Sequence, residues 1–433
     1  MQKETINGFR LSPQQRHLWL LQEPTECQPY QVRCAVMLDG RLDAPALERA
    51  LRLVVERHEI LRTSFHSLPG MLIPLQVINE PTPPSFARRD LTALSPREQQ
   101  AETEELLREL GRRPFDFEQH APLQLALLRL SPSRHALLLR LPAVCADAAA
   151  SENLVRELSE CYAACLRDEP LSDEPMQYAD ISEWQNELLE SDEAGPGRAY
   201  WQEQNVLDPL SIPLPLERQP EAGTAFAPDS LARAVEPEVA AAVEACARRY
   251  NTSSAVILMA CWQVWLWRLT GQTDVVVGSR FDGRNYPELE GALGLLAKHL
   301  PVQAHLAAGL RFGEVLQQVV QTTRAVADWQ ESFSLAQLAA AHEHSKHEPF
   351  FPLCFEFEEG TGSYDAGGLT FTTALRHACV DRFKLKLACA ERNEQLFTEW
   401  HYDANLFQTA DVERWAAGFQ VLLQSACADP STP

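Results

Sequence analysis

The residues between a predicted buried strand and a predicted helix are the first place where this sequence could carry chemistry. The stretch LLLRLPAVCADAAASENLVREL, residues 137–158, is apolar up to Leu141 and has a helical pattern after Ser151. Connections of this kind often hold catalytic groups. Between Leu141 and Ser151, only Cys145 and Asp147 could act as a nucleophile, a base or a charge partner. On an apolar strand end, a cysteine is more often a small buried hydrophobic residue than a nucleophile.

Other titratable residues lie far along the chain from this stretch. His299 lies in LGLLAKHLPVQ, where an imidazole could move a proton, although a lone histidine is more often packed or exposed. Asp381 and Arg382 are neighbours in VDRFKLKL, and they either face a functional site or form an ion pair. These three residues are therefore weaker candidates than a clustered motif would be.

Two groups of residues resemble metal ligands at first sight. The segment HEHSKH, residues 342–347, has no cysteine nearby, and a closed zinc site needs four ligands in tetrahedral geometry. Cys161 and Cys165 share a face of a predicted helix, and a helix core explains both. The sequence has no phosphate-binding glycine loop and no serine nucleophile elbow. We predict no metal site and no tightly bound cofactor.

The elements that must position these candidates alternate between helices and strands. Asp43 caps a helix, two strands flank residues 131–134, and a helix with Ser151 as its cap runs to about Arg167. The apolar run from 255 to 271 is too short for a bilayer and predicts a buried helix. Later strands are expected at FPLCFEFE and FKLKLACAERNEQLFTEWHYD. A mixed α/β fold follows.

Length and composition indicate two domains in a cytoplasmic protein. The chain has 433 residues, and the segment LLESDEAGPGRAYW has the acidic, Gly and Pro content of a linker, so we expect lobes at 1–180 and 181–433. A formal net charge of −22 disfavours nucleic acid and anionic membranes as partners. Eleven cysteines without a CxxC pair, and a start without signal-peptide features, fit a reducing compartment.

Five stretches in this order resemble the motifs of one family, the condensation domains of nonribosomal peptide synthetases. They are LSPQQRHLWLLQ (11–22, the first motif), RHEILRTSF (57–65, the second), MQYADISEW (176–184, the fourth), GQTDVVVGSRFDGRN (271–285, a stretch of the second lobe) and LGLLAKHLPVQ (293–303, the fifth motif). The resemblance implies two chloramphenicol-acetyltransferase-like lobes in a V-shaped pseudo-dimer with a central tunnel. It also implies peptidyl or aminoacyl carrier proteins as partners, whose phosphopantetheine arms enter the tunnel as tethered ligands for amide formation.

The family's third motif, His-His-x-x-x-Asp-Gly, has lost its histidines here. Aligned on the acid, the sequence has Pro142 and Ala143 in place of the two histidines, then Asp147, with Ala148 in place of the glycine. The second histidine is the one that the family associates with catalysis. The resemblance further implies that Asp147 is structural and pairs with Arg62, and that Ala143 faces the tunnel. Asp381 and Arg382 would face it from the second lobe.

Several interpretations of this loss stay open. The leading one is a condensation-like domain that binds carrier proteins, neighbouring synthetase domains or a tailoring enzyme, without the usual amide synthesis. The alternative is an active acyl-transfer domain with a non-standard mechanism, because tethering alone can supply a high effective concentration. A third is a spacer between modules. A heterocyclisation domain fits poorly, because its Asp-x-x-x-x-Asp motif would need an acid at Pro142.

Overall fold

The computed structural model describes residues 8–22, 28–84, 86–118, 121–171, 173–204, 206–210, 212–221, 223–341, 348–358, 360, 362–392 and 395–428. The helices are α1 Pro13–Leu21, α2 Ala44–Arg57, α3 Pro96–Arg112, α4 Ala148–Arg167, α5 Tyr178–Glu190, α6 Gly195–Glu203, α7 Pro237–Arg249, α8 Ser254–Thr270, α9 Phe312–Asp328, α10 Leu335–Ala341 and α11 Thr409–Ala428. The strands are β1 Gln31–Gly40, β2 Thr63–His66, β3 Leu75–Ile78, β4 Phe86–Asp90, β5 Gln124–Ser131, β6 Arg134–Pro142, β7 Pro228–Ala234, β8 Asp274–Phe281, β9 Lys298–His305, β10 Leu353–Glu358, β11 Ser363–Ala366, β12 Leu369–Cys379, β13 Leu385–Arg392 and β14 Gln395–Asp403.

The chain folds into two compact units. Unit 1 comprises Met1–Glu190, Asp282–Ala297 and Thr361–Asp381, and unit 2 comprises Ser191–Phe281, Lys298–Gly360 and Arg382–Pro433. A single division between residues 180 and 181 differs from these units, because two later segments return to unit 1. The mixed α/β class predicted from the sequence is confirmed.

Unit 1 contains a six-stranded sheet in the order β11-β12-β1-β6-β5-β4. Strand β1 is central, and it pairs antiparallel with β6 on one side and with β12 on the other, from Gln31 opposite Cys379 to Gly40 opposite Leu369. The pairing with β12 explains why the segment 361–381 belongs to unit 1. At the edge of the sheet, β4 pairs in parallel with β5.

Unit 2 contains a second six-stranded sheet in the order β7-β14-β13-β10-β8-β9. Helix α8 packs in its core, where Trp262 stacks on Trp265 and contacts Trp400 edge to face. Gly271 ends this helix in a left-handed conformation with φ of +72°, which glycine adopts without strain. The buried helix expected from the apolar run is confirmed. Along the described residues, no helix combines the length and the apolar content that a membrane span requires.

Two local expectations need correction. Asp147 caps α4, since its carboxylate accepts a hydrogen bond from the amide of Ala150, whereas Ser151 lies inside the helix and donates to the Ala148 carbonyl. The stretch expected to be a linker, 188–201, is mostly helical because it contains the end of α5 and most of α6. The boundary between the units still falls within it. The cap predicted for α2, Asp43, is confirmed.

Candidate functional site

The candidate site is the third-motif turn, which we define as residues 142–148. Strand β6 leads into it, a 3₁₀ helix spans Ala143–Cys145, and α4 follows directly after Asp147. Every residue from Pro142 to Ala148 is buried. The amide of Ala143 donates to the carbonyl of Tyr30, 3.1 Å away, so the turn is held against the start of β1.

The carboxylate of Asp147 is surrounded by hydrogen-bond donors. Its Oδ2 accepts from the backbone amides of Leu296 and Ala297, both at 2.8 Å. Its Oδ1 caps α4 by accepting from Ala150 at 2.7 Å. The guanidinium of Arg284 binds both oxygens at 3.1 Å in a bidentate pair. All of these groups belong to unit 1, so Asp147 joins α4 to the segment 282–297.

The electrostatics of this pair keep Asp147 ionised. Burial alone would raise the pKa of Asp147, but the charge of Arg284 and the hydrogen bonds from Arg284 and the backbone amides hold that pKa below its ordinary value. The side chains of Arg284 and Asp147 are 3% and 1% exposed. An ionised acid whose oxygens accept five hydrogen bonds is not available as a general base.

The partner of Asp147 differs from the sequence-based expectation. Arg62 was expected to pair with Asp147, but it donates to the carbonyl of Asn79 and lies 3.7 Å from Glu59. Arg62 lies at the end of a 3₁₀ helix next to β2. Arg284 lies after β8, on a segment that contacts the start of α4, and it therefore reaches Asp147. Arg284 lies in the stretch GQTDVVVGSRFDGRN, which resembles the family, but no local pattern there indicates Asp147 as its partner.

The first motif contacts the third-motif turn, and the fourth motif contacts the segment that binds Asp147. The hydroxyl of Tyr178, in the fourth motif, donates to the carbonyl of Leu295 at 2.6 Å and lies 2.8 Å from the hydroxyl of Ser12. In the first motif, Gln15 donates to the carbonyl of Val144 at 2.8 Å. Thus Gln15 fixes the backbone of the turn, and Tyr178 fixes the backbone of the segment 282–297, which binds Asp147.

Gly294 permits the close approach of the fifth motif to Tyr178. Its φ is +140°, and a Cβ added there would lie 1.9 Å from a ring carbon of Tyr178. Only glycine fits both the backbone conformation and the space.

The third-motif turn contains no proton acceptor. Ala143 presents a methyl group and is 0% exposed, and Cys145 is 1% exposed. Burial raises the pKa of the Cys145 thiol well above neutrality, so it is protonated and a poor nucleophile. Within residues 142–148, all of which are described, Asp147 is the only ionised side chain, and its oxygens are occupied. The turn can hold structure but cannot deprotonate an amine.

A separate polar cluster lies on the sheet of unit 2. Nε2 of His299 on β9 is 3.4 Å from Oε1 of Glu356 on β10, and Nζ of Lys386 on β13 is 3.2 Å from the same oxygen. All three residues are buried. Burial would raise the pKa of Glu356, but Lys386, His299 and Arg280 hold it well below its ordinary value. His299 thus has a carboxylate partner, and a proton-handling role for it stays a prediction.

The remaining sequence candidates fall in different places. Asp381 is buried in unit 1, and its Oδ1 lies 3.1 Å from Nε2 of His17. Arg382 belongs to unit 2, and its guanidinium lies 5.3 Å from the ring centre of Phe350. Asp381 and Arg382 therefore make contacts with different partners. The expectation that both residues face a tunnel stays a prediction.

The candidate metal ligands of the sequence divide between described and undescribed residues. Cys161 and Cys165 are free thiols on α4, and the segment 342–347 lies outside the described residues. In the part of the chain that is described, no group of three or more His, Cys, Asp or Glu side chains is placed to hold a metal ion.

The fold and these motifs define the class of protein. The family model for the Condensation domain matches residues 7–433, and the chain therefore belongs to the condensation-domain family of nonribosomal peptide synthetases. It is 28% identical over 427 residues to tyrocidine synthase 3 of Brevibacillus parabrevis, covering 98% of this chain and 6% of that protein. It is also 28% identical over 440 residues to bacitracin synthase 3 of Bacillus licheniformis, covering 100% and 7%. The chain thus spans less than a tenth of the length of each of these two relatives.

Solved structures share the fold over nearly the whole chain. The X-domain from teicoplanin biosynthesis superposes with a TM-score of 0.84 at 22% identity, covering 99% of this chain and 97% of that one. The complex of the X-domain and OxyB from teicoplanin biosynthesis contains a chain with a TM-score of 0.81 at 22% identity, covering 99% and 95%. These likenesses establish the fold.

Proposed function

We propose that this domain binds carrier proteins or a tailoring enzyme in a peptide assembly line and does not perform histidine-dependent amide synthesis. The observation that carries the proposal is the third-motif turn, where the buried methyl of Ala143 replaces the histidine that the family resemblance associates with catalysis. The contacts of Asp147 are fully used in holding α4 to the segment 282–297. The third motif therefore keeps the structural role of Asp147 but lacks a proton acceptor at position 143.

The chemistry of amide formation explains why this replacement matters. A thioester is already activated, so a condensation site must hold two tethered reactants together and remove a proton from the attacking amine. A positioned base typically accelerates such a step by about 10²–10⁴-fold. Neither Ala143 nor the protonated thiol of Cys145 can supply that contribution.

The likeness to the X-domain structures supports a binding role. One of those structures is a complex with OxyB, so a domain of this fold binds a second protein there. By analogy of fold alone, we infer that a tailoring enzyme or a carrier protein docks on this chain. Carrier proteins would bring phosphopantetheine arms as tethered ligands, and no tightly bound cofactor is needed for this role.

A second candidate is an active domain that uses a different base. The buried pair of His299 and Glu356 in unit 2, 3.4 Å apart, favours it, because a carboxylate partner orients an imidazole and raises its basicity. In this case tethering would supply the effective concentration and His299 the proton transfer.

One reconstitution separates the two candidates. The domain is mixed with a donor carrier loaded with an aminoacyl thioester and an acceptor carrier loaded with an amino acid, and mass spectrometry measures carrier binding and amide product. The binding role predicts a complex without amide above the uncatalysed rate. Amide synthesis that is lost in His299→Gln but kept in His305→Gln, a control at an exposed histidine of the same strand, would establish the second candidate instead.

A further inference from the structure

A large cavity that is open to solvent and lined mostly by apolar residues lies in unit 1, and Pro142 is the one residue of the third-motif turn in its wall. Its volume is about 720 Å³, and its walls include Leu61, Phe65, Phe115, Phe117, Leu123 and Pro142. Pockets that bind small molecules usually have volumes of roughly 300–1,000 Å³ and are mostly apolar, with a few polar groups that fix orientation. The cavity fits that description in size and in composition.

A buried cation lies directly behind two residues of the cavity wall. Arg140 on β6 is 0% exposed, and its guanidinium carbon lies 3.7 Å from the ring centre of Phe115. Its Nη1 donates to Oε1 of Gln124 at 3.0 Å, and both Phe115 and Gln124 line the cavity. The positive charge therefore contacts two residues of the cavity wall without itself lining the cavity.

Among the residues that the structure describes, the acceptors around this cation are all formally neutral. Arg140 also donates to Oε1 of Gln31 at 2.6 Å and to the carbonyl of Gly111 at 3.3 Å. Gly111 lies in the last turn of α3, where the helix dipole supplies about half a negative charge at most. Buried charges in proteins are normally paired with an opposite charge, so part of the charge of Arg140 is left without compensation.

Two further arginines strengthen the positive potential on this side of unit 1. Arg33 lies opposite Arg140 in the β1–β6 pairing, and Arg113 is exposed at the cavity wall. Burial, together with the charges of Arg33 and Arg113, lowers the pKa of Arg140 to about 9, and the guanidinium still carries its proton at neutral pH. Asp116 also lines the cavity and is exposed like Arg113, so it offsets part of this potential.

We propose that this cavity binds a small molecule with an apolar or aromatic body and a single carboxylate. The body lies among the phenylalanine and leucine side chains, and the carboxylate lies near Gln124 and Arg113, where the three guanidinium groups favour an anion. This site shares only Pro142 with the third-motif turn and does not depend on whether the domain forms amides.

The test uses octanoate as the probe and octanamide as its neutral counterpart. Isothermal titration of the full chain should give saturable 1:1 binding of octanoate, with octanamide at least about tenfold weaker, which corresponds to about 1.4 kcal/mol. Arg113→Gln should weaken octanoate several-fold and leave octanamide unchanged. Equal affinities for the two probes, or no saturable binding of octanoate, would overturn the proposal.

A cavity-filling variant locates the site. Ala87 is exposed on β4 and lines the cavity, so Ala87→Phe should reduce octanoate affinity at least tenfold. Ala232→Phe is the matched control, because Ala232 is an exposed strand residue of unit 2. Both variants are checked by thermal melting. Octanoate affinity that survives Ala87→Phe in a folded protein would place the binding elsewhere and refute the site.

Discussion

Replacing Asp147 by asparagine should destabilise the protein strongly while keeping the shape of the side chain. Whichever carboxylate oxygen becomes an amide nitrogen, it faces N–H donors: Ala150 and Arg284 at one position, or Leu296, Ala297 and Arg284 at the other. The variant also removes the buried partner of Arg284, which, among the acidic residues described, keeps only its half-exposed partner Asp282, 2.6 Å away. Breaking a buried ion pair by removing one member typically costs about 3–5 kcal/mol.

Urea denaturation followed by tryptophan fluorescence measures this loss. Asp147→Asn should lower the free energy of unfolding by about 3–5 kcal/mol, within the range measured for broken buried pairs. Glu169→Gln is the control, because Glu169 pairs with Arg167 at the surface, where both side chains are more than half exposed. Exposed pairs contribute about 0–1 kcal/mol.

The dependence on pH distinguishes a lost charge from a packing defect. Because Arg284 and the backbone amides depress the pKa of Asp147 in the folded state, its contribution is complete above its unfolded pKa of about 3.9 and decreases as pH falls below that value. The difference between wild type and Asp147→Asn should therefore shrink as pH falls below about 4. A loss no larger than that of Glu169→Gln at pH 7 would refute this reasoning.

Three further variants or labels test separate parts of the site. Gly294→Ala should lower the free energy of unfolding by about 3 kcal/mol or more, because overpacking costs ~1–3 kcal/mol and the added Cβ meets Tyr178 at a strained positive φ. In native protein at pH 8, iodoacetamide should modify Cys145 at least about tenfold more slowly than Cys165, because Cys145 is buried and protonated. Arg62→Met should cost only about 1 kcal/mol, the usual value of the one backbone hydrogen bond that its guanidinium donates.

Each of these has a control or a contradicting result. Gly195→Ala is the control for Gly294→Ala, since the nearest atom to its added Cβ is 4.0 Å away, and equal effects would contradict the steric argument. Equal alkylation of the two cysteines, read by peptide mass mapping, would show that the third-motif turn opens to solvent. If Arg62→Met lowered the free energy of unfolding as much as Asp147→Asn does, the result would support the Arg62–Asp147 pair expected from the sequence.

Much of the fold could be predicted because it depends on local patterns. The cap at Asp43, the fully apolar helix before Gly271 and the strands around residues 131–134 all follow from side-chain periodicity and termination signals. The pairing of β1 with β12 could not be predicted, because the two strands are more than 300 residues apart in sequence. The residue pattern of each strand contains no information about its partner. That pairing is what makes the units discontinuous in sequence.

The site was predictable to a similar extent. The position of the third-motif turn and the identity of Asp147 come from a motif, which is a local signal. The partner of Asp147 is a tertiary property, and Arg284 reaches it from 137 residues away. The burial of Cys145 follows from the apolar pattern around it, whereas the carboxylate beside His299 appears only when strands from distant segments join one sheet.

The rate of amide formation between two loaded carriers tests the central claim most directly. Measured in a single turnover by mass spectrometry, wild type should give no more product than carriers alone, because Ala143 and its neighbours in the turn cannot accept a proton. Product formed by the wild-type domain well above that background would contradict the claim that the turn has lost its catalytic role without replacement.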